Sequence, residues 1–189
     1  MPSYAGWVRA TWLGWVFGVP LIAAFALAGE ALGIGGSQAL VGAGMGAGIG
    51  LMQARLVRRV LDRFAPWFLS CVVGLTVRFL AADPLRAAGR ENLYSLQVCV
   101  VLGGVIVGAW QAVILSRRFV RTWLWLIGSA LGFTLAAGRA TLADWLGRSH
   151  GLRGVRGAFT YLGTIAAGGL VPGLVTGVPL GRLVPRGAP

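Results

Sequence analysis

Gly46-Ala47-Gly48-Ile49-Gly50-Leu51-Met52-Gln53 has a spacing of glycines and glutamine that returns 58 residues later. Gly46, Gly50 and Gln53 recur as Gly104, Gly108 and Gln111. Extending the same offset pairs Arg59, Arg63, Trp67, Gly74 and Thr76 with Arg117, Arg121, Trp125, Gly132 and Thr134. With Ser37/Ser95 and Ala54/Ala112 there are ten identities between residues 37 and 76. Glycines four apart share one helical face, and a polar residue three further on stays on that face. An Arg pair then ends the apolar run and a Trp opens the next. That is the pattern of a membrane helical hairpin, written twice.

The composition around this hairpin excludes an ordinary soluble domain. Of 189 residues 57% are hydrophobic and 12% are charged, with a mean hydropathy of +0.77. A soluble domain has about 25% charged residues. The net charge of +12 raises nucleic acid as a partner, but all 17 basic residues are Arg and they lie between apolar spans. Membrane topology accounts for that placement, and nucleic acid is set aside. Arg without Lys, beside abundant Gly and Ala, points to a GC-rich bacterial genome.

Spans of about 20 apolar residues cross a hydrocarbon core of about 30 Å. Six are predicted, at 10–32, 37–57, 64–82, 95–115, 120–138 and 158–181. The fold class expected is therefore all-α: one transmembrane domain over 1–189, a six-helix bundle of repeated hairpins. The run Trp12 to Ala28 is longer than a signal-peptide core and reads as an uncleaved first transmembrane helix. Arg placement sets the orientation. With the N-terminus in the cytoplasm, ten Arg fall inside and seven outside, so both termini are expected on the cytoplasmic side of the bacterial inner membrane. Asp83-Pro84 reads as the start of a short outer helix, and Thr141 to Leu146 as an interfacial segment. His150, the only histidine, reads as a loop residue.

A third copy is divided between the termini. A further shift of 65 residues pairs Gly104, Gly108, Arg117 and Arg121 with Gly169, Gly173, Arg182 and Arg186, and sets Thr176 at the Gln position. Trp7 and Gly14 have the spacing of Trp67 and Gly74, so the first helix supplies the missing half. The repeat units are then 37–82, 95–140, and 158–189 with 1–32. A pseudo-threefold bundle about the membrane normal is the expectation.

Three groups of side chains are candidates for function. Gln53, Gln111 and Thr176 converge in such a bundle as an axial polar ring, read either as interhelical hydrogen bonding or as the lining of a narrow solute path. No membrane acid accompanies them, as ion coupling usually requires. Arg59, Arg63, Trp67, Arg117, Arg121, Trp125, Arg182 and Arg186 form corners that anchor the bundle or hold anionic lipid headgroups, since guanidinium matches phosphate. Gly42, Gly46, Gly50, Gly104, Gly108, Gly169, Gly173 and Gly177 are helix-packing positions. Cys71 and Cys99 lie at different depths and read as packing residues rather than a disulfide. Arg78 and Arg139 are expected to snorkel.

The hairpin, Gly-xxx-Gly-xx-Gln, Leu-Arg-Arg and then Trp with later glycines, resembles that of a loose group of uncharacterised bacterial multi-pass proteins. The resemblance covers most of 37–138 and the half-unit at 169–186. Ala54 and Ala112 stand where members commonly carry Trp. It implies architecture and no substrate. No Cys/His cluster, Walker loop or membrane-embedded His is present, so no catalytic residue, metal or cofactor is expected. The leading expectation is a non-enzymatic scaffold or accessory subunit, with other membrane-protein subunits as partners. The alternative is a small channel or transporter built on the polar ring.

Overall fold

The computed structural model describes residues 2–84, 88–89, 95–149 and 154–186, with the side chains of 95, 140, 143–149, 154–162 and 164–166 excepted. His150, Glu91 and most of the short outer helix expected after Pro84 lie outside the described residues. Six helices carry the described chain: α1 (Tyr4–Ala31), α2 (Gln38–Leu61), α3 (Ala65–Leu80), α4 (Ser95–Ser116), α5 (Trp123–Ser149) and α6 (Gly154–Leu180). Two short strands, β1 (Phe119–Val120) and β2 (Val184–Pro185), pair antiparallel and tie the α4–α5 turn to the segment after α6.

Local chemistry sets the ends of these helices. The Ser3 hydroxyl accepts from the Gly6 N–H and starts α1 six residues earlier than expected. Trp7 thereby becomes an interior helical residue. At the N-terminus of α2, Ser37 caps, and the Asp83 carboxylate accepts from the Ser37 hydroxyl at 2.6 Å and the Gln38 N–H at 2.7 Å. The carboxylate of Asp83 therefore caps α2, a use that its neighbour Pro84 does not suggest. A carboxylate there offsets the unpaired amides and the positive helix end. Helix α2 stops where Asp62 takes a left-handed conformation at φ 53°, and Pro66 lies in the first turn of α3. Thr141 to Leu146 are helical and continue α5.

Each helix packs on its neighbours in chain order, and α6 returns to α1, so the six close into a ring. Reading round it, the pairs are α2–α3, α4–α5 and α6–α1. Glycine permits the closest of these contacts. A Cβ on Gly46 would lie 2.5 Å from the Cys71 carbonyl oxygen, and one on Gly42 would lie 2.9 Å from that of Leu75. The intervening glycines serve the opposite face: a Cβ on Gly48 would lie 2.5 Å from the Gly14 carbonyl oxygen. Helix α2 thus meets α3 through Gly42, Gly46 and Gly50 and α1 through Gly44 and Gly48. Gly104 and Gly108 instead receive the side chains of Phe133 and Ser129, and Gly169, Gly173 and Gly177 receive α1 at Trp15, Val8 and Tyr4.

Polarity is inverted relative to a soluble bundle. The exposed stripes are apolar: Leu69, Val73, Val77 and Leu80 on α3, Ile127, Leu131 and Leu135 on α5, Leu170, Leu174 and Val178 on α6. Thr11, Gln53, Ser70, Gln111, Ser129 and Thr176 are buried. Among the described residues, α1, α2 and α4 (from Leu96) are long and apolar enough to cross a membrane. Helix α3 and the described apolar part of α6, Ala167–Leu180, are shorter.

Candidate functional site

Trp7, Trp67 and Trp125 meet at the centre of the ring, near the end where α2, α4 and α6 finish. Their ring centroids are 5.3–6.1 Å apart and every pair is edge-to-face. That geometry sets the positive edge of one indole against the negative face of the next. All three are buried, at 0–1% exposure. This corrects the reading of Trp67 and Trp125 as interfacial anchors, since neither can reach a headgroup. Helical phase explains the difference: each Trp lies on the face of its helix that also presents the buried residues Cys71 and Ser129, one turn on.

Each indole N–H finds the polar residue of its own hairpin. Trp67 Nε1 donates to Gln53 Oε1 at 3.2 Å, and Trp125 Nε1 donates to Gln111 Oε1 at 3.0 Å. In the pair formed by α6 and α1, Trp7 Nε1 donates to Thr176 Oγ1 at 2.9 Å. The three acceptors come together and line one void of about 10 Å³, barely one water molecule.

The remaining amide protons link neighbouring hairpins. Gln53 Nε2 donates to Thr11 Oγ1 at 3.0 Å, and Gln111 Nε2 donates to Cys71 Sγ at 3.2 Å. Thr11, Cys71 and Ser129 each come four residues after their Trp. So a Gln accepts from its own Trp and donates to the residue one turn beyond the preceding hairpin's Trp. Cys71 Sγ lies 4.0 Å from Gln53 Oε1, which carries the chain of contacts on from Gln111 towards Thr11. The third junction differs. The Thr176 hydroxyl has one proton and donates it to the Pro172 carbonyl on its own helix, so it cannot reach across.

The roles of Thr11, Cys71 and Ser129 are not evident from any one segment, although aligning the three Trp residues exposes a small polar side chain at the same offset in each. Cys71 is more than a packing residue, because it accepts from Gln111. Both cysteines are free.

The arginines of the corners stay at the surface, whereas Arg78 on α3 is half-buried. Arg59, Arg63, Arg117, Arg121, Arg182 and Arg186 are all exposed at the end of the bundle nearest the Trp cluster. Arg118 bridges two hairpins there, donating to the Val60 carbonyl at 2.7 Å and to the Asp62 carboxylate at 3.0 Å. The Arg186 N–H donates to the Arg118 carbonyl at 2.8 Å. An open groove of about 670 Å³ at this end is lined by Arg121, Arg182 and the exposed Trp123. Towards the other end, the exposed Arg139 also donates to the Ala167 carbonyl at 3.3 Å and so ties α5 to α6.

The arrangement offers buried hydrogen bonding and a guanidinium-rich rim. Neither an acid–base pair nor a nucleophile beside a base occurs in the cluster. No protein-family model, curated protein or solved structure matches this chain.

Proposed function

We propose that this chain is a non-enzymatic integral protein of the bacterial inner membrane, acting as a rigid scaffold or accessory subunit of a membrane complex. Both termini face the cytoplasm, where the basic rim meets anionic phospholipid headgroups. Three hairpins of common descent, one divided between the termini, form the bundle. The single observation that carries the reading is the axial cluster. Its polar groups bond to one another around three packed indoles instead of facing a continuous space.

The inverted polarity supports the membrane placement, since apolar stripes face outward and the polar side chains are inside. A channel would need polar groups left available to a solute, and here the ring atoms have partners within the protein. The exposed Arg side chains near Trp123 suit phosphate through paired N–H donors.

The test is reconstitution into liposomes with flux measured for water, small ions and neutral solutes. The expected result is no permeation above empty liposomes, together with a reproducible protein partner on crosslinking in native membranes. Solute flux above background from the wild-type protein overturns the scaffold reading. Charge removal at Arg59, Arg63, Arg117 and Arg121 is expected to reduce co-purifying anionic phospholipid. Unchanged retention removes the headgroup part alone.

A further inference from the structure

The half of the bundle away from the Trp cluster contains a second cavity of about 340 Å³. Five of the six helices contribute to it. Trp15 and Phe133 line both this chamber and the small void beside the polar ring, so they form the partition between the two. Phe133 sits against Gly104 on α4, and Gln97 lies seven residues further along the same helix. That interval is about 10 Å at the rise of an α-helix.

The walls are apolar. Met45, Phe79 and Ala137 are typical, and no charged side chain is among the described lining residues. A cavity less than half this size, about 150 Å³, stays dry and binds benzene when its walls are apolar. Two atoms break the pattern. Trp15 Nε1 and Gln97 Oε1 are both buried, and neither has a hydrogen-bond partner among the described residues. One is a donor at the partition and the other an acceptor at the far end. Leaving such groups unpaired is costly. Bulk-like water does not answer the need, because a stable buried water wants two to four polar partners together.

We infer that this chamber binds a single-chain uncharged amphiphile, a hydrocarbon body with a hydroxyl or carbonyl group. The hydrocarbon covers the apolar wall. A hydroxyl or carbonyl oxygen accepts from Trp15 Nε1, and a hydroxyl entering the other way donates to Gln97 Oε1. An ionised head is disfavoured because the described wall offers no counter-charge. Two acyl chains with a phosphate head exceed the space.

Photolabelling of the whole protein in nanodiscs tests this, with a diazirine-bearing dodecanol as probe and unlabelled dodecanol as competitor. Labelling is expected to saturate and to map to residues 41–45 and 133–137. Ala137→Phe, which fills the chamber, is expected to cut it at least tenfold while retaining the wild-type elution profile. Trp15→Phe keeps a ring and loses the donor, and is expected to raise the half-saturating concentration about threefold or more. Labelling that rises linearly without competition overturns the inference, as does equal labelling of Ala137→Phe. Should that variant not fold, Ala136→Phe and the wild-type competition decide alone. Stronger labelling of the same residues by a diazirine phosphatidylcholine shows a bilayer lipid tail there and overturns the single-chain assignment.

Discussion

The two halves of the bundle axis treat buried polar atoms in opposite ways. Near the basic end, three indole N–H groups and their acceptors are paired, and the remaining void is about 10 Å³. In the other half a 340 Å³ chamber has an indole N–H and an amide oxygen without partners among the described residues. Both regions are built on the same ring of helices. Closure of the axis therefore depends on which side chains the ring presents, and a helical ring alone does not seal its centre.

Breaking the ring itself should have the largest effect. Gly46→Leu places side-chain atoms where the Cys71 carbonyl stands, so the helices must separate. Destabilisation of about 3 kcal/mol is expected, the upper end for overpacking because backbone stands in the way, seen as loss of the monodisperse peak in detergent. Next comes the satisfied half of the axis. Trp67→Phe retains an aromatic ring but leaves Gln53 Oε1 short of its donor, which should cost about 1–3 kcal/mol by thermal denaturation. A double-mutant cycle of Gln111→Leu with Trp125→Phe should give a coupling of about 0.6–2 kcal/mol. Additive effects would mean that the pair does not act as a unit.

At the rim, Arg118 and Asp62 are half or more exposed, so their ion pair is screened. Arg118→Ala should cost no more than about 1 kcal/mol, most of it from the Val60 carbonyl contact. The smallest effect is expected in the hollow half. Trp15→Phe removes an N–H that has no partner among the described residues, and without ligand should change stability by about 0.5 kcal/mol or less. Equal losses for Trp15→Phe and Trp67→Phe would erase the distinction between the two halves.

The glycine spacing and apolar runs made the six helices legible, because period and length are local properties. The helix ends were less so. Asp83 stands before Pro84 like the cap of a helix starting there, yet it caps α2, some 45 residues earlier in the chain, and only folding brings the two together. The polar ring positions were legible from the residue matches at offsets of 58 and 65, and they do share one void. Their Trp partners read as interfacial instead, since Trp next to Arg in sequence commonly means that. The pairing of β1 with β2 had no signal, as two-residue strands leave no periodic trace.

The helical class, the spacing of Gly, polar and Trp positions, and the excess of Arg at one end follow from the order of residues along the chain. These come from backbone pairing and from how far an apolar run reaches. It takes the folded ring to show that each Trp donates to the Gln or Thr of its own hairpin, that Thr11 and Cys71 connect the hairpins, and that the axis is sealed in one half and hollow in the other. Those outcomes depend on which faces of distant helices converge, and on whether each buried donor meets an acceptor there.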